Sequence, residues 1–326
     1  MQIIEDKQVK TKPKMQGPFI SICIPTYKRA GLFLKLLESI AIQSFKDFEI
    51  IVTDNSDDDT VQMVAENFQE ILPLQYIRNI PAVTAAQNSN KAMSLAKAPW
   101  VKLMHDDDWF SSANALQLFA HAAQHSGKDF IFCASNQVYL DSHISETEKL
   151  EGRRLEMFTD SYFALFYLNL IGHPSVVMHK KDDAILYDEQ FNWVQDIDFY
   201  LRYHTAHGAF EYLPEVLVNI GKSSAQESHK YYKNPLVELP EYFRLLEKYH
   251  VDLPLKNKYV FHLVWNMIKR YKIKNIGGIR ALGFTGIIPG GTEAIIQYQR
   301  KIPRIILKQP NWSERLMDKL YRRVTV

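Results

Sequence analysis

Cysteine is scarce in this 326-residue chain, which carries only Cys23 and Cys133, each inside an apolar run, ISICIP and FIFCAS. Two thiols without metal-ligand spacing form neither a disulfide framework nor a zinc site. Both read as reduced core residues of a cytosolic protein. Glycine-rich phosphate loops are missing as well: neither GxGxxG nor GxxxxGK[ST] occurs. That weighs against dinucleotide oxidoreductases and P-loop enzymes. Long apolar runs are also lacking. The nearest approach to a spanning helix, SYFALFYLNLIGHPSVVM (161–178), is broken by Asn169, Gly172, His173 and Pro174. The start, MQIIEDKQVKTKPKMQG, has no apolar segment of the kind a secretory leader needs. Internal repeats and low-complexity tracts are absent. What is present, 46% apolar and 23% charged residues, describes a folded chain and not a disordered one.

The net charge of +2 conceals an asymmetry. From position 251 onward there are fifteen Lys and Arg residues against four Asp and Glu, a net of +11, which leaves the first 250 residues at −9. Anionic lipid headgroups and nucleic acid are both candidate partners for such a region, and a solvated helical face is the plain alternative. No zinc site or RNA-recognition signature supports nucleic acid, so none is expected. Lys269, Arg270, Lys272 and Lys274 cluster near Phe261, Val264, Trp265 and Met267, and Arg300, Lys301 and Arg304 adjoin Ile302, Ile305 and Ile306. Basic side chains snorkel while apolar neighbours enter the headgroup boundary. The expectation is a cytoplasmic protein peripheral on the inner face of an anionic cell membrane, with homo-oligomer contacts through the same helices as the alternative.

Strand and helix patterns alternate through the first 140 residues. Strands are expected at 19–25, 48–54, 74–79, 100–105 and 129–140, with helices at 32–44, 60–68, 84–97 and 112–126. Such alternation implies crossover units and a mainly parallel central sheet flanked by helices. Beyond it the pattern predicts a loop at 141–154, a helix at 157–169, a strand at 176–180, a helix at 194–208 and a strand-like stretch at 210–221 interrupted by Pro214. From about 235 the chain reads helical. The expected organisation is a flexible arm (1–17), an α/β domain (18–234) and a basic, mainly helical C-terminal region (235–326).

Ligands of parallel α/β sheets bind outside the C-terminal strand ends. Thr26 and Tyr27 follow the first strand, Asp54 and Asn55 end the second, and Asp106, Asp107 and Asp108 follow the fourth. Adjacent carboxylates repel unless a cation lies between them, and their oxygens suit Mg²⁺ or Mn²⁺. A metal with few protein ligands keeps positions open for phosphate, so a nucleoside diphosphate is a plausible guest; helix capping is the competing role for the triplet. A second pair, Asp196 and Asp198, opens the helix at 194–208. A spacing of two does not place both on one helix face, so they should differ in role.

Taken in order, SICIPTYKR (21–29), FEIIVTDNSDDDT (48–60), NSNKAMSLAKAPWVKLMHDDD (88–108) and VQDIDFYLR (194–202) resemble the family 2 glycosyltransferases, over about residues 18–222. The resemblance implies a GT-A fold and a metal-dependent, inverting, hexosyltransferase-like enzyme using a nucleotide-diphosphate sugar, UDP-sugar foremost, with Mn²⁺ or Mg²⁺. It implies a glycan or lipid-linked acceptor and a place in bacterial surface-polysaccharide assembly. It further implies nucleotide contacts from Pro25, Thr26, Tyr27, Arg29, Asp54 and Asn88, and a ribose or metal-water contact from Asp106. Asp107 and Asp108 would hold the metal, and Asp196 would be the general base. Two departures stand out. His105 occupies a position where many members carry aspartate, and is expected to support the site without ligating. Gln87 stands where many members place an arginine that can reach the diphosphate, which leaves that charge to the metal, Lys91 or Lys102. His173, Pro174 and Ser175 are expected at the acceptor pocket, and Trp193 either stacks on a sugar or fills core. A sugar-phosphate nucleotidyltransferase is the enzymatic alternative, although PTYKRAG is a poor substitute for its Gly- and Lys-rich segment. A non-catalytic nucleotide- or glycan-binding protein is the other.

Overall fold

The computed structural model describes residues 17–142, 144–223, 228–250 and 256–324. The expected N-terminal arm, apart from Gly17, lies outside them. The chain opens with β1 (Ile20–Thr26), α1 (Ala30–Ala41), β2 (Phe48–Asp54), α2 (Thr60–Gln69), β3 (Leu74–Arg78), α3 (Ala85–Ser94) and β4 (Trp100–Leu103). It continues with β5 (Asp108–Phe110), α4 (Ala115–His125), β6 (Phe130–Tyr139), β7 (Ser145–Glu148), α5 (Gly152–Asp160) and α6 (Ala164–Tyr167). A 3₁₀ turn (Pro174–Val176) leads to β8 (Val177–Lys180), α7 (Gln195–His207) and β9 (Glu211–Lys222). The remainder is helical: α8 (Ser228–Tyr231), α9 (Pro235–Lys248), α10 (Lys258–Arg270), α11 (Ile276–Ala281), α12 (Thr292–Arg300), α13 (Arg304–Lys308) and α14 (Pro310–Val324).

One sheet runs β3-β2-β1-β4-β8-β6-β9-β5, with β7 added on β6. The first four strands are parallel, as the crossover pattern predicts. Beyond β4 the sheet is mixed, because β8 enters antiparallel between β4 and β6. Central β1 is apolar on both faces and almost wholly buried, as a strand covered by helices on both sides must be. Pro214 sits in β9, whose pairing with β6 shifts register between Cys133 and Ser135, so the strand survives its proline through an irregularity.

Several expectations need correcting. The segment 141–154 is not all loop: β7 pairs with Ser135–Val138 of β6, and α5 begins at Gly152. The single helix expected at 157–169 is two, separated at Ser161, whose backbone is extended. Trp109 and Phe110, which follow the triplet, form a strand with Asp108 because β9 pairs with them. Phe261, Val264, Trp265 and Met267 are all buried, since α10 packs against α6, α12 and α14. They cannot enter a membrane surface. Of the second group, Ile305 is 73% exposed. Among the described residues the buried apolar side chains form one cluster, running from Ile20 to Leu320. The C-terminal helices therefore share the core of the α/β part.

Candidate active site

Parallel pairing brings the ends of β1, β2 and β4 to one edge, and the turn after β4 lays the acidic triplet across it. Asp106 is wholly buried. Its Oδ2 accepts from Thr26 Oγ1 at 2.7 Å and from the Tyr27 amide at 3.2 Å. Arg29, leading into α1, reaches Asp106 Oδ1 at 2.6 Å and Asp107 Oδ2 at 2.7 Å. Asp108 begins β5 opposite Ile220, and its Oδ1 accepts the Gly221 amide at 3.0 Å. Burial pushes Asp106 up to about 6, although Arg29 opposes the shift. Burial and the charge of Asp107 push Asp108 up to about 8.

His105, expected to support the site, stands beside two of the carboxylates. His105, Asp107 and Asp108 each offer one ligand atom, and the three atoms lie within 4.8 Å of one another. Two carboxylates and one imidazole suit a divalent cation such as Mn²⁺. The raised affinity of Asp108 for a proton is what a buried carboxylate shows where a cation would otherwise balance it. The donor set thus fits a divalent metal. Ser175 braces it from behind: its Oγ accepts the His105 amide at 2.9 Å, and its carbonyl accepts from Lys102.

On the other side of β1, Tyr27 leaves about half its surface open (49%). Pro25, one residue before Thr26, is paired to Thr53 in the sheet. Asp54 is fully buried and already engaged, accepting from the Ser56 amide at 2.8 Å and the Tyr76 hydroxyl at 2.7 Å. Asn88 is buried too, donating to the Thr26 carbonyl at 3.3 Å and accepting from Asn79 at 2.8 Å. These two residues shape the edge from within.

Of the groups expected to supply the charge missing at Gln87, the two lysines are otherwise engaged. Gln87 is occupied in a capping box with Thr84 at the start of α3. Lys91 donates to Asn79 Oδ1 at 2.6 Å. Lys102 is wholly buried, and burial pushes it down to about 7. Lys222, the last residue of β9, sits at the site instead. Its Nζ lies 2.7 Å from His173 Nε2, and it feels the charges of Asp108 and Asp107. Burial, followed by Lys222, pushes His173 down to about 3, so the imidazole is neutral. Local sequence shows no sign of Lys222, since long-range pairing of β9 with β6 and β5 places it.

Asp196 and Asp198 do differ. Asp198 is fully buried, with Arg202 Nε at 2.8 Å on one oxygen and Lys248 Nζ at 2.8 Å on the other. Asp196 Oδ1 is buried without a hydrogen-bond partner among the described residues, and burial pushes the carboxyl up to about 7. Its electrostatic neighbours include Tyr187 and Tyr200. Tyr200 donates to the Gly172 carbonyl at 3.1 Å, one residue before His173. Trp193 is partly buried and packs 6.1 Å from the Tyr232 ring.

A mixed sheet whose parallel half presents an acidic metal-binding cluster at its C-terminal edge defines a GT-A-like transferase. The family model described as Glycosyl transferase family 2 matches residues 21–183, half of the chain, and the chain belongs to that family. It is thus a sugar-transferring enzyme. An uncharacterized glycosyltransferase of Methanocaldococcus jannaschii is 25% identical over 209 residues, covering 63% of this chain and 71% of that protein. The GalNAc(5)-diNAcBac-PP-undecaprenol beta-1,3-glucosyltransferase of Campylobacter jejuni is 25% identical over 224 residues, covering 63% and 69%. Among solved structures, S. aureus TarS 1-349 with UDP-GlcNAc superposes with a TM-score of 0.54 at 15% identity, over 94% of this chain and 90% of that one. The mannosyltransferase PcManGT of Pyrobaculum calidifontis, with GDP-Man and Mn²⁺, gives 0.55 at 13% identity, over 95% and 86%. The two superpositions are evidence of a shared fold.

Proposed function

We infer that this enzyme transfers a sugar, with inversion, from a nucleotide-diphosphate sugar to a hydroxyl of a glycan or lipid-linked acceptor. The observation that carries this reading is the Asp196 carboxyl, whose Oδ1 is buried without a hydrogen-bond partner among the described residues and which burial raises to about 7. A general base works best when its pKa lies near the working pH. In the reaction the acceptor oxygen bonds to C1 of the sugar, its proton passes to Asp196, and the C1–O bond breaks with its electron pair leaving on the nucleoside diphosphate. Asp107, Asp108 and His105 would hold Mn²⁺ or Mg²⁺, which would supply positive charge to stabilise the departing diphosphate. Tyr27 offers its open face to the base, Arg29 orders the acidic turn, and Lys222 supplies the cation absent at Gln87. Asp106 meets ribose or metal-bound water, while Asp54 and Asn88 fix the walls. The Campylobacter relative's name supports a lipid-linked acceptor, and the TarS and PcManGT complexes support UDP- or GDP-sugars as donors.

A cytoplasmic, membrane-peripheral location fits the basic C-terminal region. Its exposed candidates are Arg304, Ile305, Ile306, Lys308, Trp312 and Arg315. The functional reading is tested by screening UDP-, GDP- and dTDP-hexoses for thermal stabilisation and slow hydrolysis, with Mn²⁺ and with EDTA. Metal-dependent stabilisation and hydrolysis by one base class are expected. Binding without any turnover, even with candidate acceptors, would favour a non-catalytic binding protein.

A further inference from the structure

Helix α7, which carries Asp196, has no cap of its own. Its N-cap residue is Val194, whose side chain makes no capping bond. A helix start leaves its first amides without partners unless an acceptor is brought to them. For the N-cap amide, and for the two amides that precede it, the acceptor comes from α9. Glu241, buried to 3% exposure, accepts the Asn192 amide at 3.0 and 3.1 Å, the Trp193 amide at 2.7 Å and the Val194 amide at 3.2 Å. It also accepts from Asn192 Nδ2 at 3.3 Å. Further along the same helix, Lys248 reaches Asp198 at 2.8 Å and Asp188 at 2.7 Å. One C-terminal helix therefore grips the segment on both sides of Asp196, and Asp196 joins neither grip.

Aspartates near a helix start commonly accept their own helix's amides. A carboxylate fixed in that way is turned onto the backbone and held in its ionised form. We propose that Glu241 is a positioning residue: by collecting the amides of 192–194, the N-cap amide among them, it keeps Asp196 from turning back onto those donors, and leaves that carboxylate open to an acceptor hydroxyl. The proposal rests on Asp196 being the base. The titratable groups facing Asp196 are the phenols of Tyr187 and Tyr200, both raised by burial and so neutral. Arg202 is engaged with Asp198 and the Leu186 carbonyl, and Lys248 with Asp188 and Asp198. Burial, not a neighbouring charge, therefore governs the proton on Asp196.

The test compares full-length wild type, Glu241→Gln, Glu241→Asp and Asp196→Asn. Calorimetry with UDP and GDP plus Mn²⁺ reports the donor side. Carboxyl ¹³C NMR follows the titration of Asp196, its signal assigned by loss in Asp196→Asn. Hydrolysis of a matching nucleotide hexose is measured against pH. Glu241→Gln should bind the nucleoside diphosphate like wild type, while its Asp196 midpoint falls by about one pH unit or more. Its turnover at pH 8 should fall ~10–100-fold, as expected for a misplaced reacting group. Glu241→Asp, which retains the carboxylate, should lie between the two and carries the same test if Glu241→Gln does not fold. An unchanged Asp196 midpoint in a nucleotide-binding Glu241 variant, with Asp196→Asn inactive, would overturn the role of Glu241 alone. Full turnover by Asp196→Asn would overturn the base assignment beneath it.

Discussion

Gly221 lies directly against the carbonyl of Asp107: a Cβ on Gly221 would stand 2.2 Å from that oxygen. The same glycine donates its amide to Asp108. One residue of β9 thus sets the backbone of one proposed metal ligand and the carboxylate of the next. Gly221→Ala must displace the acidic turn, and overpacking of this kind costs about 1–3 kcal/mol. The variant should unfold at lower urea concentration and show weaker Mn²⁺-dependent nucleotide binding by calorimetry. Wild-type behaviour in both measurements would mean that the turn is more pliant than its contacts indicate.

Lys248 joins the C-terminal helices to the helix of the base. Lys248→Met leaves buried Asp198 with Arg202 alone. Loss of a hydrogen bond to a charged group costs about 1.5–3 kcal/mol. Chemical denaturation should register a loss of that size, and donor affinity should stay near wild type, because the contact lies on α7 and α9 and not at the strand ends.

The acid limb of turnover should have its midpoint near pH 7, where Asp196 loses its proton. Activity should fall as pH drops through that value. The same raised pKa favours the folded state when the carboxyl is neutral. That stabilisation is complete below the ordinary value of 3.8 and is lost as pH rises through about 7. Asp196→Asn should remove this part of the pH dependence of stability, which thermal unfolding at pH 5 and pH 8 can read.

Attachment to an anionic surface is tested with substitutions, since cutting the chain near residue 250 would strip partners from the shared core. Wild type should float with phosphatidylglycerol-containing vesicles at low salt, and Arg304→Gln/Ile305→Ser/Trp312→Ser should float less. Each basic residue near the surface contributes about 1 kcal/mol, weakened by salt. Equal flotation of both proteins, or none for wild type, would exclude this face as the anchor.

Much of the site was legible because its residues fall at strand ends, and strand ends can be read from local apolar runs. The spacing of Asp196 and Asp198 also foretold unlike roles: Asp198 is ion-paired, while Asp196 Oδ1 has no hydrogen-bond partner among the described residues. What stayed hidden depends on long-range pairing. Asp108–Phe110 is a strand only because β9 lies beside it, and Lys222 reaches the site through the pairing of the same β9 with β6. Glu241 looked like any acidic residue of an amphipathic helix. The apolar face of α10 was visible, but a sequence pattern does not say whether protein or lipid covers it; here protein does.

The most direct test of the account is the Asp196→Asn enzyme assayed beside wild type at saturating donor and acceptor, with donor affinity measured by calorimetry. The account predicts unchanged metal-dependent donor binding and a turnover at least ~100-fold lower, the lower range for general acid–base catalysis. Near-normal turnover with intact donor binding would contradict it.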